Sequence, residues 1–271
     1  MLIGNQDFKL NEKTYIMGIL NVTPDSFSDG GRYNTVVKAL EHAGQMIREG
    51  ANIIDVGGES TRPEFTRISE EEEIKRVVPI IKELKKNYSV PVSIDTYKSK
   101  VAQAAIEAGA DMVNDIWGLR YDRQMAEIIA RCNLPVCLMH NRKEAVYGNL
   151  MEEVVSDLGI SIELALSAGI DKEKLIIDPG IGFGKTYEMN LILLNHLEEL
   201  KELKLPILLG TSRKSVIGLT LDLPPDNRVE GTIATTVIGV MKGCSIIRVH
   251  DIAPNYRAVK MTETILREHK E

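Results

Sequence analysis

The chain has 271 residues, 44% of them hydrophobic and 27% charged, and carries a formal net charge of −6. That balance is ordinary for a folded globular protein. It offers no global basic footprint for nucleic acid, although a local group of Arg and Lys can still oppose the overall sign around a small anion.

Residues 2–10 read as a short extended segment, a hairpin plug for the structure that follows. The first apolar run, Tyr15–Leu20, stops at Asn21, and the polar stretch Asn21–Asn34 leads to a helix over Val36–Glu49 with Val36, Leu40, Ala43 and Ile47 on one stripe. Ile53 and Ile54 run into Asp55, and a second polar stretch, Glu59–Ile68, ends at Ser69. Ser69 caps a helix whose first turn, Glu70–Glu73, is favoured by the helix dipole and reads as a solvated helix start. Val92–Ile94 stops at Asp95, and the Ala-rich helix Lys98–Ala108 closes on Gly109 at its C′ position. Met112 and Val113 lead to Asn114 and Asp115, Val136–Met139 to His140, Leu175–Ile177 to Asp178. Ile207–Leu209 leads to Gly210 and Thr211, and Ile246 and Ile247 to Arg248 and His250. Amphipathic helices are expected over Met151–Ala168, Glu188–Leu203, Val229–Met241 and Asn255–Arg267.

Short apolar runs alternating with amphipathic stretches are the pattern of buried parallel strands joined by helices. Chemistry-bearing residues at the C-terminal ends of the runs are the pattern of a (β/α)8 barrel with its active site there. No Pro/Gly/Ser-rich linker divides the chain, so one barrel domain spanning residues 1–271 is expected. The two polar stretches exceed the about 2–6 residues usual for such connections, and both read as mobile lids over one face. The N-terminal MLIGNQDFKL lacks a charged start followed by an apolar core, and no uncharged apolar run approaches the about 18 residues a membrane span needs. Cys132, Cys137 and Cys244 form an odd set without metal-binding spacing, which argues against a disulfide framework or a zinc site. A cytoplasmic address is therefore expected, with Cys137 as buried packing.

On a closed barrel Arg62, Lys214, Arg248 and His250 converge with Asn21. Such a cationic pocket beside a neutral amide oxygen suits an oligophosphate accompanied by a hard cation such as Mg²⁺. The bland alternative is that Arg248 and Lys214 pair with barrel carboxylates and bind nothing. Asp95, Asn114 and Asp178 end three of the runs. A carboxylate presents two coplanar acceptors, matching the adjacent N–H donors of an amino-oxo-pyrimidine, and an amide both donates and accepts. Each of the three by itself is as well explained by capping of the next helix. The stretch from Asp178 to Lys185 is dense in glycine without P-loop spacing, so close backbone approach to a planar ligand is the better account. Lys214 and Ser215 open a helix whose free N–H groups suit a carboxylate or phosphate. Trp117 reads as core or rim packing, and His42, His196 and His269 as surface residues on helices.

These motifs carry a resemblance. Met17–Gly31 closely resembles the first signature of the dihydropteroate synthases and Asp55–Pro63 the second. Ser93–Thr96, Asn114-Asp115, Leu138–His140, Asp178–Lys185, Gly210–Ser215 and Arg248–Asp251 are similar to the family in the same order along the chain. The resemblance implies an enzyme, a transferase that condenses a dihydropterin carrying a hydroxymethyl diphosphate with p-aminobenzoate, releasing diphosphate. It implies that Asp95, Asn114, Asp178 and Lys214 hold the pterin edge, with Arg248 on its face and Met139 and Phe183 as apolar walls. Asn21, Arg248 and His250 would hold the diphosphate, with Mg²⁺ on Asn21. Thr61, Arg62, Pro63, Lys214 and Ser215 would form the p-aminobenzoate site with Phe27 and Ser28. Lys214, Arg248 and Asp95 would be the catalytic groups. A homodimer and sensitivity to sulfonamide analogues of p-aminobenzoate are implied as well. Three other readings stay open at this point: a pterin-binding methyltransferase barrel, a pterin-binding module without turnover, and a sugar-phosphate barrel enzyme.

Overall fold

The computed structural model describes residues 1–23, 32–59 and 67–268, with residues 32–34 described through their backbone alone. The hairpin β1 (Leu2–Ile3) and β2 (Gln6–Asp7) precedes β3 (Tyr15–Asn21), α1 (Arg32–Glu49), β4 (Ile53–Gly57) and α2 (Glu70–Asn87). Then come β5 (Val92–Asp95), α3 (Ser99–Glu107), β6 (Met112–Asp115), α4 (Gln124–Cys132), β7 (Val136–Met139) and α5 (Leu150–Ser167). The chain ends with β8 (Leu175–Asp178), α6 (Tyr187–Asn195), β9 (Leu208–Leu209), α7 (Ser215–Leu221), α8 (Val229–Met241), β10 (Ile246–Val249) and α9 (Ile252–Arg267).

The parallel strands lie in the order β8-β7-β6-β5-β4-β3-β10-β9. A parallel bridge from Ile177 to Ile207 joins the two ends and closes the ring. Among the described residues, closure leaves the eight-stranded sheet without an edge strand to pair with another chain. It also gives each strand residue one of two destinations, because successive side chains point to opposite faces. Ile54, Val56, Ile94, Val113, Leu138, Ile177 and Ile247 belong to the large cluster between strands and helices. Residues of the other parity point inward. At the bottom, Met17, Ile53, Met112, Cys137, Ile176, Leu208 and Ile246 form an apolar floor together with Ile3, Phe8, Leu10 and Tyr15. The hairpin is thus the expected plug, and Cys137 is fully buried in the floor. Each such buried side chain contributes about 1.5–3 kcal/mol from area removed from water. Further up, the same parity places Asp55, Ser93, Asn114, Asp178 and Arg248 inside, so the barrel is apolar below and polar at its mouth.

Local chemistry explains some element ends. Ser69 Oγ accepts from the Glu72 amide at 3.2 Å, capping α2. Gly109 takes φ +109 beyond α3, where a Cβ would lie 3.0 Å from Lys85 Cγ. Two expectations need correction and one helix was not expected. The helix expected over Glu188–Leu203 stops at Asn195 and continues as a 3-10 helix over Leu197–Leu203. The cause is spacing: Leu197, Leu200 and Leu203 recur every third residue, which a 3-10 helix places on one face toward the core. The sequence reading named no helix over 124–132; α4 forms there because Met125, Ala126, Ile128 and Ile129 supply a buried stripe, ended by Asn133 at φ 55. Finally, Glu73 is not solvated. It is 1% exposed and forms an ion pair with Lys98 at 2.7 Å, because α2 turns that face toward α3. Trp117 packs at the rim against Tyr97, Ile116 and Met139 as expected. His42 is exposed, His196 sits half-exposed at the α6 break 3.0 Å from Glu199, and His269 lies outside the described residues.

Candidate active site

Strand register assembles the mouth. Asn21 is level with Gly57, Gly57 with Asp95, and Asp95 with Asn114, so four neighbouring strands present one row of residues at their C-terminal ends. Gly57 matters because it has no side chain: a Cβ there would lie 3.5 Å from Asn21 Oδ1 and 3.7 Å from Asp95 Oδ2, so the amide and the carboxylate face one shared opening. On the opposite wall, a Cβ at Gly210 would be 3.9 Å from both Arg248 Cδ and Asp178 Oδ2. Two bare backbone positions therefore open the space between the polar groups.

Arg248 crosses the barrel interior. Its Nε donates to Asp55 Oδ2 at 2.6 Å and its Nη2 to Asp95 Oδ2 at 2.5 Å. Asn114 Nδ2 donates to the same Asp55 oxygen at 3.1 Å. Asp55 is fully buried, and its Oδ1 has no hydrogen-bond partner among the described residues; nor has Ser93 Oγ on the adjoining strand. Asp55, which the sequence reading placed at a strand end and gave no role, is the pivot of this network. Its inward parity is the signal that could have found it.

Burial sets the protonation of these groups. Desolvation pushes the Asp95 carboxyl up to about 7, against the pull of Arg248, and it raises Asp178 as well. Desolvation brings Lys214 down to about 8, partly offset by Asp178. The Cys137 thiol below them is driven well above its ordinary range by burial and stays protonated. Lys214 donates to the Ile181 carbonyl, with its Nζ 4.6 Å above the centre of the Phe183 ring. It pairs with a backbone oxygen rather than a carboxylate, whereas Arg248 does pair with two.

His250 accepts or donates at Ser212 Oγ through Nδ1 at 3.0 Å, and its backbone N–H donates to the same hydroxyl at 3.2 Å. Ser215 is exposed at the start of α7, directly after Lys214. Met139 is buried beside Ile116 and Tyr97, with Phe183 packed against this cluster. Phe27, Ser28, Thr61, Arg62 and Pro63, and with them most of both expected lids, lie outside the described residues. The base of the second lid is described: Lys98 Nζ bridges Glu59 and Glu73, each at 2.7 Å, and donates to the Ile68 carbonyl at 2.9 Å. Tyr97 and the Ile68 amide also donate to Glu59, at 2.6 and 3.0 Å. Among the described residues no group of three or more His, Cys, Asp or Glu is arranged to hold a metal ion.

A buried, partly neutral set of acids, an amide and a lysine can read the polar edge of a flat heterocycle. Arg248 lies beside them where negative charge would be stabilised. Known proteins bear on the identity of that heterocycle. Residues 17–250 match the family model of pterin binding enzymes. The chain is 60% identical over 268 residues to a dihydropteroate synthase of Clostridium beijerinckii, covering 98% of this chain and all of the relative. A dihydropteroate synthase structure from Clostridium difficile obtained with pteroic acid superposes with a TM-score of 0.95 at 52% identity, covering 97% of this chain and 100% of that one. The Xanthomonas albilineans dihydropteroate synthase with 4-aminobenzoic acid gives 0.90 at 43% identity, covering 94% of each chain.

Proposed function

The chain belongs to the dihydropteroate synthase family of pterin-binding transferases, and from that premise we propose how its barrel mouth divides the labour of joining a dihydropterin methyl diphosphate to p-aminobenzoate. The observation that carries the reading is Arg248 held between Asp55 and Asp95, with Asn114 donating to the same Asp55 oxygen. Asp95, Asn114, Asp178 and Lys214 take the pterin edge, Arg248 its face, and Met139 and Phe183 its apolar walls. Asn21, Arg248 and His250 take the diphosphate. Thr61, Arg62, Pro63, Lys214, Ser215, Phe27 and Ser28 take p-aminobenzoate. Residues 1–271 act as one domain.

The reaction is stepwise in this scheme. The C–O bond to diphosphate breaks first, and the leaving group departs with the bonding pair toward Arg248 and His250. The cation left on the pterin methylene is stabilised by the Asp95 carboxylate. The aryl amine then attacks, forms the C–N bond and releases a proton to solvent. A covalent enzyme intermediate is disfavoured because the nearest thiol, Cys137, is buried and protonated and no general base is paired with it. Mg²⁺ fits a limited role. Asn21 supplies one neutral amide oxygen facing the opening beside Gly57, which suits an ion that keeps waters and is bound mainly through substrate phosphates. Bound there, it would neutralise charge on the leaving diphosphate.

A homodimer and a cytoplasmic location complete the reading. Exposed Leu219, Leu221, Ile238 and Met241 on α7 and α8 support the first, and among the described residues no helix is long and apolar enough to cross a membrane. Diphosphate release from 7,8-dihydropterin-6-ylmethyl diphosphate and Mg²⁺, with and without p-aminobenzoate, tests the assignment. Release linked to dihydropteroate, and lost in Lys214→Ala, is expected. Pterin binding without any release would overturn turnover. If release never precedes C–N bond formation, the stepwise order fails.

A further inference from the structure

The glycine-dense turn after β8 is gripped by two lysines, and the scheme above uses only Lys214. Lys185 folds back beneath the turn. Its Nζ lies 2.8 Å from His140 Nδ1, 3.0 Å from the Gly180 carbonyl oxygen and 3.0 Å from the Phe183 carbonyl oxygen. An ammonium group has three N–H donors and no acceptor, so every donor of Lys185 has a partner. His140 is buried, and its Nε2 lies 3.1 Å from Asp157 Oδ2, which also accepts from Arg142 Nε at 2.7 Å. Burial lowers Lys185 to about 7, so below that pH it is an ammonium and Nδ1 must accept from it. The ring proton is therefore on Nε2, donated to Asp157. Burial and the charge of Lys185 keep this imidazole neutral, with its pKa lowered to about 3.

The backbone confirms how closely the turn is seated. Gly180 has φ +70, and a Cβ there would lie 1.9 Å from the His140 carbonyl oxygen. Gly184 has φ +56, and its Cβ would meet the Arg142 carbonyl oxygen at 2.3 Å. Only glycine lets the turn lie flat against residues 140–142. Tyr147 Oη donates to the Gly184 carbonyl at 2.9 Å, and Asp178 Oδ1 accepts from the Gly180 amide at 2.7 Å. On the mouth side, Phe183 faces Lys214 and the Ile181 carbonyl accepts from it. The carbonyls that Lys185 holds thus bracket the segment that presents Phe183, and one of them belongs to the residue that orients Asp178.

We propose that Lys185, oriented by His140 and Asp157, is a positioning residue for pterin recognition: it sets Phe183 and Asp178 against Lys214 without touching the substrate. The inference rests on the pterin reading of that mouth. Misplacing a binding wall by about 1 Å is enough to cost about 100-fold in rate, so an effect well above assay error is expected.

Steady-state kinetics of the full-length enzyme test it. Lys185→Met should raise KM for the pterin diphosphate by about 10-fold or more, with KM for p-aminobenzoate at saturating pterin changed by less than about 2-fold. Lys185→Arg, which keeps charge and donors, should recover much of the loss. Asp157→Asn should give a weaker shift of the same kind. At about pH 6, below the Lys185 value of about 7, the imidazole nitrogen spectrum should show the Nε2–H tautomer for His140 in the parent and a changed Nδ1 signal in Lys185→Met. Unchanged pterin KM in a folded Lys185→Met variant, or an equal rise in both KM values, overturns the proposal. Asp178→Asn is the control. If it too leaves pterin KM unchanged, the pterin reading itself has failed; if it raises pterin KM while Lys185→Met does not, only the role of Lys185 falls. Should Lys185→Met not fold, Asp157→Asn with the His140 spectrum carries the test, and an unaltered pterin KM with an altered His140 signal overturns it.

Discussion

Two cations in this barrel, Lys98 buried and Arg248 partly so, each bridge two carboxylates, and the environments they create differ. Lys98 joins Glu59 and Glu73 at the base of the second polar loop, and its third donor goes to the Ile68 carbonyl. Glu59 gains further donors from Tyr97 and Ile68. Arg248 joins Asp55 and Asp95 at the mouth, yet Asp55 Oδ1 and neighbouring Ser93 Oγ lack partners among the described residues, and Asp95 is raised to about 7. The first cluster is satisfied internally, as a structural joint must be when buried in low dielectric. The second keeps hydrogen-bonding capacity in reserve, which is the condition for engaging something else. The same charge pattern is thus saturated in one place and keeps spare capacity in the other, and in the proposed reading that difference separates architecture from chemistry.

The sharpest way to break this contrast is Arg248→Ala. It should lower kcat/KM by about 100- to 1000-fold. The fold should survive at a cost in stability, since Asp95 can take up a proton in place of its partner while Asp55 keeps only the Asn114 donor. A variant that unfolds at neutral pH, or one with near-parent turnover, would erase the distinction between the two clusters. Lys98→Met should do the reverse. Two carboxylates would be left buried without a counter-charge, at a cost of about 3–5 kcal/mol in chemical denaturation. Its folded fraction should still bind pterin. The loss should be greatest near pH 8 and shrink toward pH 4, where both glutamates become neutral; a pH-independent loss would assign it to packing instead.

Asp95→Asn probes a smaller effect with a defined sign. The folded-state pKa of about 7 lies above the ordinary 3.8, so the native state binds the extra proton between those values. Stability contributed by that group is present at low pH and declines as pH rises from about 4 to about 7. Asp95→Asn should therefore flatten this part of the stability profile and gain on the parent at pH 8, while losing activity. A steeper profile in the variant would contradict the raised pKa. The smallest change expected is Ser93→Ala, within about 1 kcal/mol of the parent, because its hydroxyl has no partner to lose; a larger destabilisation would mean that the hydroxyl is paired after all.

The strand ends were legible as a candidate site because a closed parallel barrel leaves few other places for polar residues after apolar runs. Asp95, Asn114 and Asp178 could be named on that ground, and Asn21, Arg248 and His250 with them. Asp55 ends an apolar run in the same way, but only strand parity in the closed ring shows that it points inward. The Lys185–His140–Asp157 chain was not legible, since its members come from two loops and a helix and meet only through the turn at Gly180 and Gly184. Glu73 was misread for a similar reason: an acidic first turn has a solvated appearance, and nothing local shows that its fourth residue faces Lys98.

By itself, then, the order of residues determined the barrel, the plugged floor and the ring of polar residues at the strand ends, because those follow from periodicities of two and about 3.6 residues along the chain. The tertiary structure alone decided which carboxylate Arg248 holds, which cation is saturated and which acid stays near neutral. Those properties depend on burial and on partners distant in sequence, 193 residues apart for Arg248 and Asp55, and no local pattern encodes a desolvation that exists only once the ring has closed.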